Sequence, residues 1–213
     1  MLEVGCGTGA ILEGIALQGY ASLYGLDLSH SMLTECRHNV PAAILTRGDA
    51  GSLPLPARTF DIVFCHYLLL WVSDPLKALQ EMKRLTKHGG CILALAEPDY
   101  LGRMPGQGEF SWLCRLQTES LRTQGAQVAI GSLLAELFYQ AGIHILETGA
   151  IHSRGSEILT AEEWEAEWVV LESDLAVVAS PQEIKRSILL KQQTQTHARS
   201  LLDVPTYFAW GQV

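Results

Sequence analysis

Apolar positions along this chain change period several times, and each change marks an element. A glycine turn at Gly5 to Gly9 follows the short apolar opening, and Ala10-Ile11-Leu12-Glu13-Gly14-Ile15-Ala16-Leu17 then sets apolar residues at helical spacing. That run stops at Gly19, a natural helix C-cap. Ala21 to Leu26 predicts a second strand ending at Asp27, and Ser29 or Ser31 caps a short helix running to about His38. Ala43 to Thr46 predicts a third strand, closed by Arg47-Gly48-Asp49. Phe60-Asp61-Ile62-Val63-Phe64-Cys65 is a nearly continuous apolar run of strand length, as expected of a strand covered on both faces. Asp74 and Pro75 supply an N-cap and an N1 proline. Leu76, Leu79, Met82 and Leu85 form one helical face, Gly89-Gly90 ends it, and Cys91 to Ala96 predicts the fifth strand.

Strand and helix thus alternate through the first half, which predicts an open parallel sheet with helices on both faces. The pattern changes after Glu97-Pro98-Asp99. A loop holding Gly102, Pro105, Gly106 and Gly108 leads to a helix near Phe110 to Arg122, an insertion and not a repeat. Leu133 to Ala141 with Gly142 reads as a helix and its C-cap, and Ile143 to Ile151 as a sixth strand. Thr160-x-x-Glu163 is a capping box, followed by Trp164, Trp168, Leu171, Leu175 and Val178 at helical period. This stripe reads as a buried helix face in preference to an aromatic acceptor wall. Ser180-Pro181-x-Glu183 opens a further helix that turns polar from Lys191 to Arg199. Val204 to Trp210 predicts a last strand, with proline tolerated at its start.

Length and composition narrow the class. With 213 residues, 48% hydrophobic and 18% charged, the chain is long enough for one globular domain. A formal net charge of -8 and a pI near 5.3 give no electrostatic footprint for a phosphate backbone, so no nucleic-acid partner is expected. Five cysteines, widely spaced and in no C-x-x-C pairing, disfavour a disulfide framework and a zinc site and fit a reducing cytoplasm. The longest apolar stretch, Phe64 to Val72, is broken by His66 and falls far short of the ~20 residues of a membrane span. No basic leader precedes an apolar core, so neither export nor anchoring is indicated.

Gly5, Gly7 and Gly9 let the backbone turn sharply between strand and helix and approach a nucleotide-like ligand without side-chain obstruction. The dinucleotide fingerprint has G-x-G-x-x-G, whereas this chain has G-x-G-x-G with Ala10 at the place of the third glycine. Asp27 lies at a strand end about 20 residues beyond the turn, the separation of a ribose-binding carboxylate in nucleotide-binding α/β folds. Capping of the following helix is its alternative role. Glu3, the glycines and Asp49 point to the same crevice.

Leu2-Glu3-Val4-Gly5-Cys6-Gly7-Thr8-Gly9, Gly25-Leu26-Asp27-Leu28-Ser29, Gly48-Asp49-Ala50, Phe60-Asp61-Ile62-Val63 and Lys87-His88-Gly89-Gly90 together resemble, in order, the motifs of class I S-adenosylmethionine-dependent methyltransferases of the type 11 group. The resemblance covers residues 1 to about 100, and Pro205 to Gly211 looks like that fold's antiparallel seventh strand. It implies a Rossmann-like, seven-stranded, mostly parallel sheet with helical insertions after strands 5 and 6. Residues 1–100 would then be the cofactor-binding half and 101–213 the acceptor side. Glu3 and the turn of Gly5, Cys6, Gly7 and Gly9 would face the methionine part of S-adenosylmethionine. Asp27 would take the ribose and Asp49-Ala50 the adenine, with Leu28 and Met32 on the adenine face. Cys65 and His66 would sit nearest the methyl group; S-adenosylhomocysteine would be the product.

His66 is the candidate general base for a hydroxyl or protonated-amine acceptor, because imidazole titrates near neutrality. Its alternative is to line the pocket or bond backbone. Cys6 and Cys65 read as packing beside the cofactor and not as nucleophiles. His144, His152 and His197 lack ligand spacing, so no metal is expected. Tyr100, Arg103 and Tyr207 are further acceptor-side positions.

The chain departs from the family at His88, where proline is usual. It also departs at its start, where relatives carry helices that cover the cofactor; an N-terminally short domain is the expectation. A small-molecule acceptor leads, since the additions follow strand 5 and Cys65-His66-Tyr67-Leu68 replaces the tetrapeptide of amino-methylating nucleic-acid enzymes. A macromolecular acceptor, a cofactor-binding protein without transferase activity and a nicotinamide dehydrogenase are the alternatives.

Overall fold

A computed structural model describes residues 1–20, 22–103, 110–151, 160–194 and 204–213. Pro105, Gly106, Gly108, His152, His197 and residues 195–199 of the polar run that begins at Lys191 lie outside the described residues. Seven strands form one sheet: β1 (Leu2–Val4), β2 (Tyr24–Asp27), β3 (Ile44–Arg47), β4 (Phe60–Cys65), β5 (Thr86–Pro98), β6 (His144–Ile151) and β7 (Thr206–Gln212). The spatial order is β3-β2-β1-β4-β5-β7-β6. Pairings from β3 through to β5 are parallel, and β7 runs antiparallel to both β5 and β6.

The helices are α1 (Ala10–Leu17), α2 (His30–Asn39), α3 (Pro75–Leu85), α4 (Phe110–Thr123), α5 (Ile130–Gln140), α6 (Ala161–Leu175) and α7 (Pro181–Thr194). Ser29 caps α2 by accepting from Met32, Asp74 caps α3 by accepting from Lys77, and Pro75 stands at its first turn. Both capping boxes form: Thr160 with Glu163, and Ser180 with Glu183, whose side chains and amides bond reciprocally.

Strand 5 is longer than its pattern. Gly89-Gly90 does not end the preceding helix. Thr86 does so, in extended conformation, with its hydroxyl donating to the Met82 carbonyl at 2.8 Å. The strand starts there, paired with Phe60, and the register then shifts so that Ile62 faces Cys91. A Cβ at Gly90 would lie 2.7 Å from the Asp61 carbonyl oxygen, so this glycine serves the irregular pairing. At its other end β5 runs through Glu97 and Pro98, which face Tyr207 and Thr206. Helix α5 begins three residues before the predicted Leu133, because Ile130, Leu134 and Phe138, one turn apart, are all buried.

Among the described residues the core has three parts. Leu79, Met82, Leu134 and Phe138 pack on one face of the sheet with Val63 and Ile92, while Leu12, Leu33 and Cys36 pack on the other with Phe64. Trp164 and Trp168 are fully buried with Leu113, Leu171 and Leu175, ring centroids 5.6 Å apart in an edge arrangement. The tryptophan stripe is therefore core, and it ends with the helix at Leu175, before Val178.

Candidate active site

The strand order reverses between β1 and β4, and in open α/β sheets the ligand crevice lies beyond the carboxyl ends at such a switch point. Register brings the predicted residues together there. Val4 is paired with Leu26 on one side and Cys65 on the other. Gly5, Asp27 and His66 therefore leave three neighbouring strands at one level.

The turn after β1 is built by backbone bonds. The amides of Gly5 and Cys6 both donate to the Leu26 carbonyl, at 2.7 and 3.0 Å, and Gly9 donates to Cys6 at 2.8 Å. Gly5, Gly7 and Gly9 all have positive φ, at 74°, 51° and 85°. Added Cβ atoms at Gly5 and Gly9 would lie 2.7 Å from Leu68 Cδ1 and 2.6 Å from Cys36 Sγ; at Gly7 none of the described residues lies within 4 Å. The outer glycines are thus fitted to the protein, whereas Gly7 faces open space.

Asp27 holds this turn directly. Its Oδ2 accepts from the Gly7 amide at 2.9 Å and its Oδ1 from the Ser29 amide at 2.8 Å. Glu3, on β1 just before the turn, is 2% exposed, with no hydrogen-bond partner for Oε2 among the described residues. Burial, with Asp27 nearby and the Leu12 amide only partly offsetting it, pushes its carboxyl up to about 8. Such a carboxylate is completed by a cationic or hydrogen-bond-donating ligand group.

Asp49 is exposed, its Oδ1 accepting from the Gly51 amide at 2.8 Å, and Ala50 is buried beside it. Leu28 is 63% and Met32 40% exposed, an open apolar pair next to Asp27. Cys6 and Cys65 are buried and burial raises both thiols, as expected of packing residues. His66 is half-buried at the end of β4, and burial lowers its imidazole below the usual 6.5.

One residue of the site carries no motif. Glu97, fully buried near the end of β5, accepts from the amides of Leu68, Leu69 and Leu70 at 3.1, 3.1 and 3.2 Å and from the Cys65 thiol at 3.8 Å. Burial nonetheless pushes its carboxyl up to about 7. It fixes the chain leaving β4, where Tyr67 adopts a positive φ of 51° and donates its amide to the Ala96 carbonyl at 2.9 Å. A charged side chain closing an apolar strand was the available signal.

Residues 2–94 match the model of the methyltransferase domain family. Over this stretch the chain is similar to class I S-adenosylmethionine-dependent methyltransferases. The demethylmenaquinone methyltransferase of Shouchella clausii is 42% identical over 103 residues, 44% of this chain and 43% of the relative. An uncharacterised methyltransferase of Schizosaccharomyces pombe is 29% identical over 182 residues, 79% of this chain and 64% of that protein. The chain thus spans less than two thirds of the length of these curated relatives. Phosphoethanolamine N-methyltransferase 2 of Haemonchus contortus, solved in complex with S-adenosyl-L-methionine, superposes with a TM-score of 0.66 at 20% identity, covering 100% of this chain and 48% of that one. That likeness shows a methyltransferase fold through β7. Among the described residues, no helix is long and apolar enough to cross a membrane.

Proposed function

We propose that the chain binds S-adenosylmethionine at the β1/β4 switch point and transfers its methyl group to a small-molecule acceptor. The buried Glu3 side chain, two residues before the glycine turn, carries this reading: its Oε2 has no hydrogen-bond partner among the described residues, and the turn leaves Gly7 open. When bound, S-adenosylmethionine supplies a methyl group on a positively charged sulfur.

The residues fit that molecule. Asp27 puts negative charge near a ligand bearing an ammonium and a sulfonium, Glu3 ionises as that charge arrives, and each Asp27 oxygen keeps acceptor capacity for a ribose hydroxyl after its amide bond. Leu28 and Met32 offer the adenine an apolar face, and Asp49 with the Ala50 amide reads its edge. Gly5, Cys6, Gly7 and Gly9 line the methionine part, and Cys65 walls the floor. His66, neutral at physiological pH, takes the proton from a hydroxyl or amine acceptor. Much of the acceleration comes from positioning the acceptor in line and excluding water.

Residues 1–100 hold the cofactor and 101–213 form the acceptor side of one domain. The demethylmenaquinone methyltransferase of Shouchella clausii is named for a small-molecule acceptor, which supports that class here. Five unpaired thiols suit a reducing cytoplasm. Calorimetric titration with S-adenosylmethionine and S-adenosylhomocysteine tests the reading: both bind if it holds, and binding of neither removes it. Binding without turnover on any small-molecule panel would point to a cofactor-binding protein instead.

A further inference from the structure

A cavity of about 330 Å³ opens between the loop after β5 and helix α4, within the ~300–1,000 Å³ range of small-molecule sites. Its walls include Arg103, Arg115 and Arg122, with Tyr100 and Thr118, and Glu119 is the acidic residue among them. Among the described lining residues three guanidinium groups stand against one carboxylate, the reverse of the chain as a whole, whose formal charge is -8.

Arg103 is 7% exposed, and its setting orients it. Its Nη2 donates to Gln117 Oε1 at 2.9 Å, and Gln117, fully buried on α4, donates from Nε2 to Asp174 Oδ2 on α6 at 2.8 Å. The guanidinium carbon lies 5.3 Å from the centroid of the Tyr100 ring. A planar donor fork held this way in low dielectric is suited to a carboxylate or phosphate, while Arg115 and Arg122, exposed on α4, draw anions toward it. The cavity starts two residues beyond β5, whose neighbour β4 ends at Cys65, next to His66, and the Tyr67 hydroxyl is near enough to oppose the ionisation of Tyr100.

We infer that this cavity receives the anionic group of a small organic acid, and that this acid is the methyl acceptor, with its far end directed toward His66. The acceptor role rests on the methyl-transfer reading; the anion preference does not.

Calorimetric titration of the whole chain with benzoate, phenyl phosphate and neutral benzamide tests it, without cofactor and at two salt concentrations. The anions are expected to bind at least ~10-fold more tightly than benzamide, with affinity falling as salt rises; the preferred anion distinguishes a carboxylate from a phosphate acceptor. Arg115→Gln with Arg122→Gln alters only exposed positions and is expected to weaken anion binding ~3–10-fold. Arg103→Met, checked for folding by circular dichroism, is expected to remove the preference. Benzamide binding as tightly as benzoate and phenyl phosphate, or wild-type anion affinity in the double variant, overturns the site. If S-adenosylhomocysteine binds but the anions do not, the subsite falls and methyl transfer stands. If the anions bind but S-adenosylhomocysteine does not, the acceptor assignment is overturned.

Discussion

The backbone amide of Gly7 donates to Asp27 Oδ2 at 2.9 Å, so the carboxylate at the end of β2 also shapes the turn that follows β1. Asp27→Ala therefore removes both a ligand contact and a support of the turn. Affinity for S-adenosylhomocysteine, measured by calorimetry, should fall by ~1.5–3 kcal/mol, about 10- to 150-fold. Unchanged affinity would refute the ribose role of Asp27.

Glycine substitutions should separate binding from folding. At Gly7 an added Cβ meets nothing within 4 Å, so Gly7→Ala costs only the ~1–2 kcal/mol of a left-handed residue yet fills the cradle. At Gly9 the Cβ would press on Cys36 Sγ at 2.6 Å and Val40 Cγ2 at 3.2 Å. Gly9→Ala is expected to lower the melting temperature more than Gly7→Ala, and Gly7→Ala to lose ligand affinity while remaining folded. The opposite ordering in thermal denaturation would contradict the assignment of the two glycines.

The buried carboxyls set a pH dependence. Glu3 is raised from 4.5 to about 8, so the folded chain holds its proton where the unfolded chain has released it. The stability this gives is full below pH 4.5 and is lost as pH rises toward 8; Glu97, raised to about 7, adds in the same direction. Glu3→Gln should flatten the ligand-free stability curve between pH 5 and 8 by up to ~1.4 kcal/mol per pH unit while weakening cofactor binding. Urea denaturation across that range measures it; an identical slope in the variant removes Glu3 as its source.

His66 bears on turnover. Burial lowers its imidazole below 6.5, leaving the neutral base in excess at neutral pH. For a hydroxyl or protonated-amine acceptor, His66→Gln should reduce kcat ~10²–10⁴-fold with S-adenosylhomocysteine affinity retained. The acid limb of the wild-type kcat/KM profile, falling below pH 6.5, should vanish in the variant. A variant that keeps this limb assigns the proton to another group.

The crevice was legible in the sequence because its parts are residue types at characteristic spacings: the alternate glycines, Asp27 and the apolar run ending at Cys65. The start of β5 was not. A glycine pair imitates a helix stop, whereas the helix is ended three residues earlier by the Thr86 hydroxyl on Met82, and the glycines accommodate a shifted pairing. Glu97 was hidden for a different reason. Its partners are backbone amides 27 to 29 residues upstream, and an amide leaves no mark in composition or period. The cavity under Arg103 depends likewise on the meeting of α4 and α6 through Gln117 and Asp174, far apart in the chain.

Three consecutive amides converging on the Glu97 carboxylate leave the 68–70 segment little liberty to settle elsewhere. Leu68 is thereby pressed toward Gly5, close enough that a methyl there would collide with it at 2.7 Å. Positions 5 and 68 consequently share a fixed allotment of space: a bulkier residue at one must be matched by a smaller one at the other. An engineer reshaping the acceptor side would do best to treat that pair as a single unit and to leave the carboxylate beneath it alone.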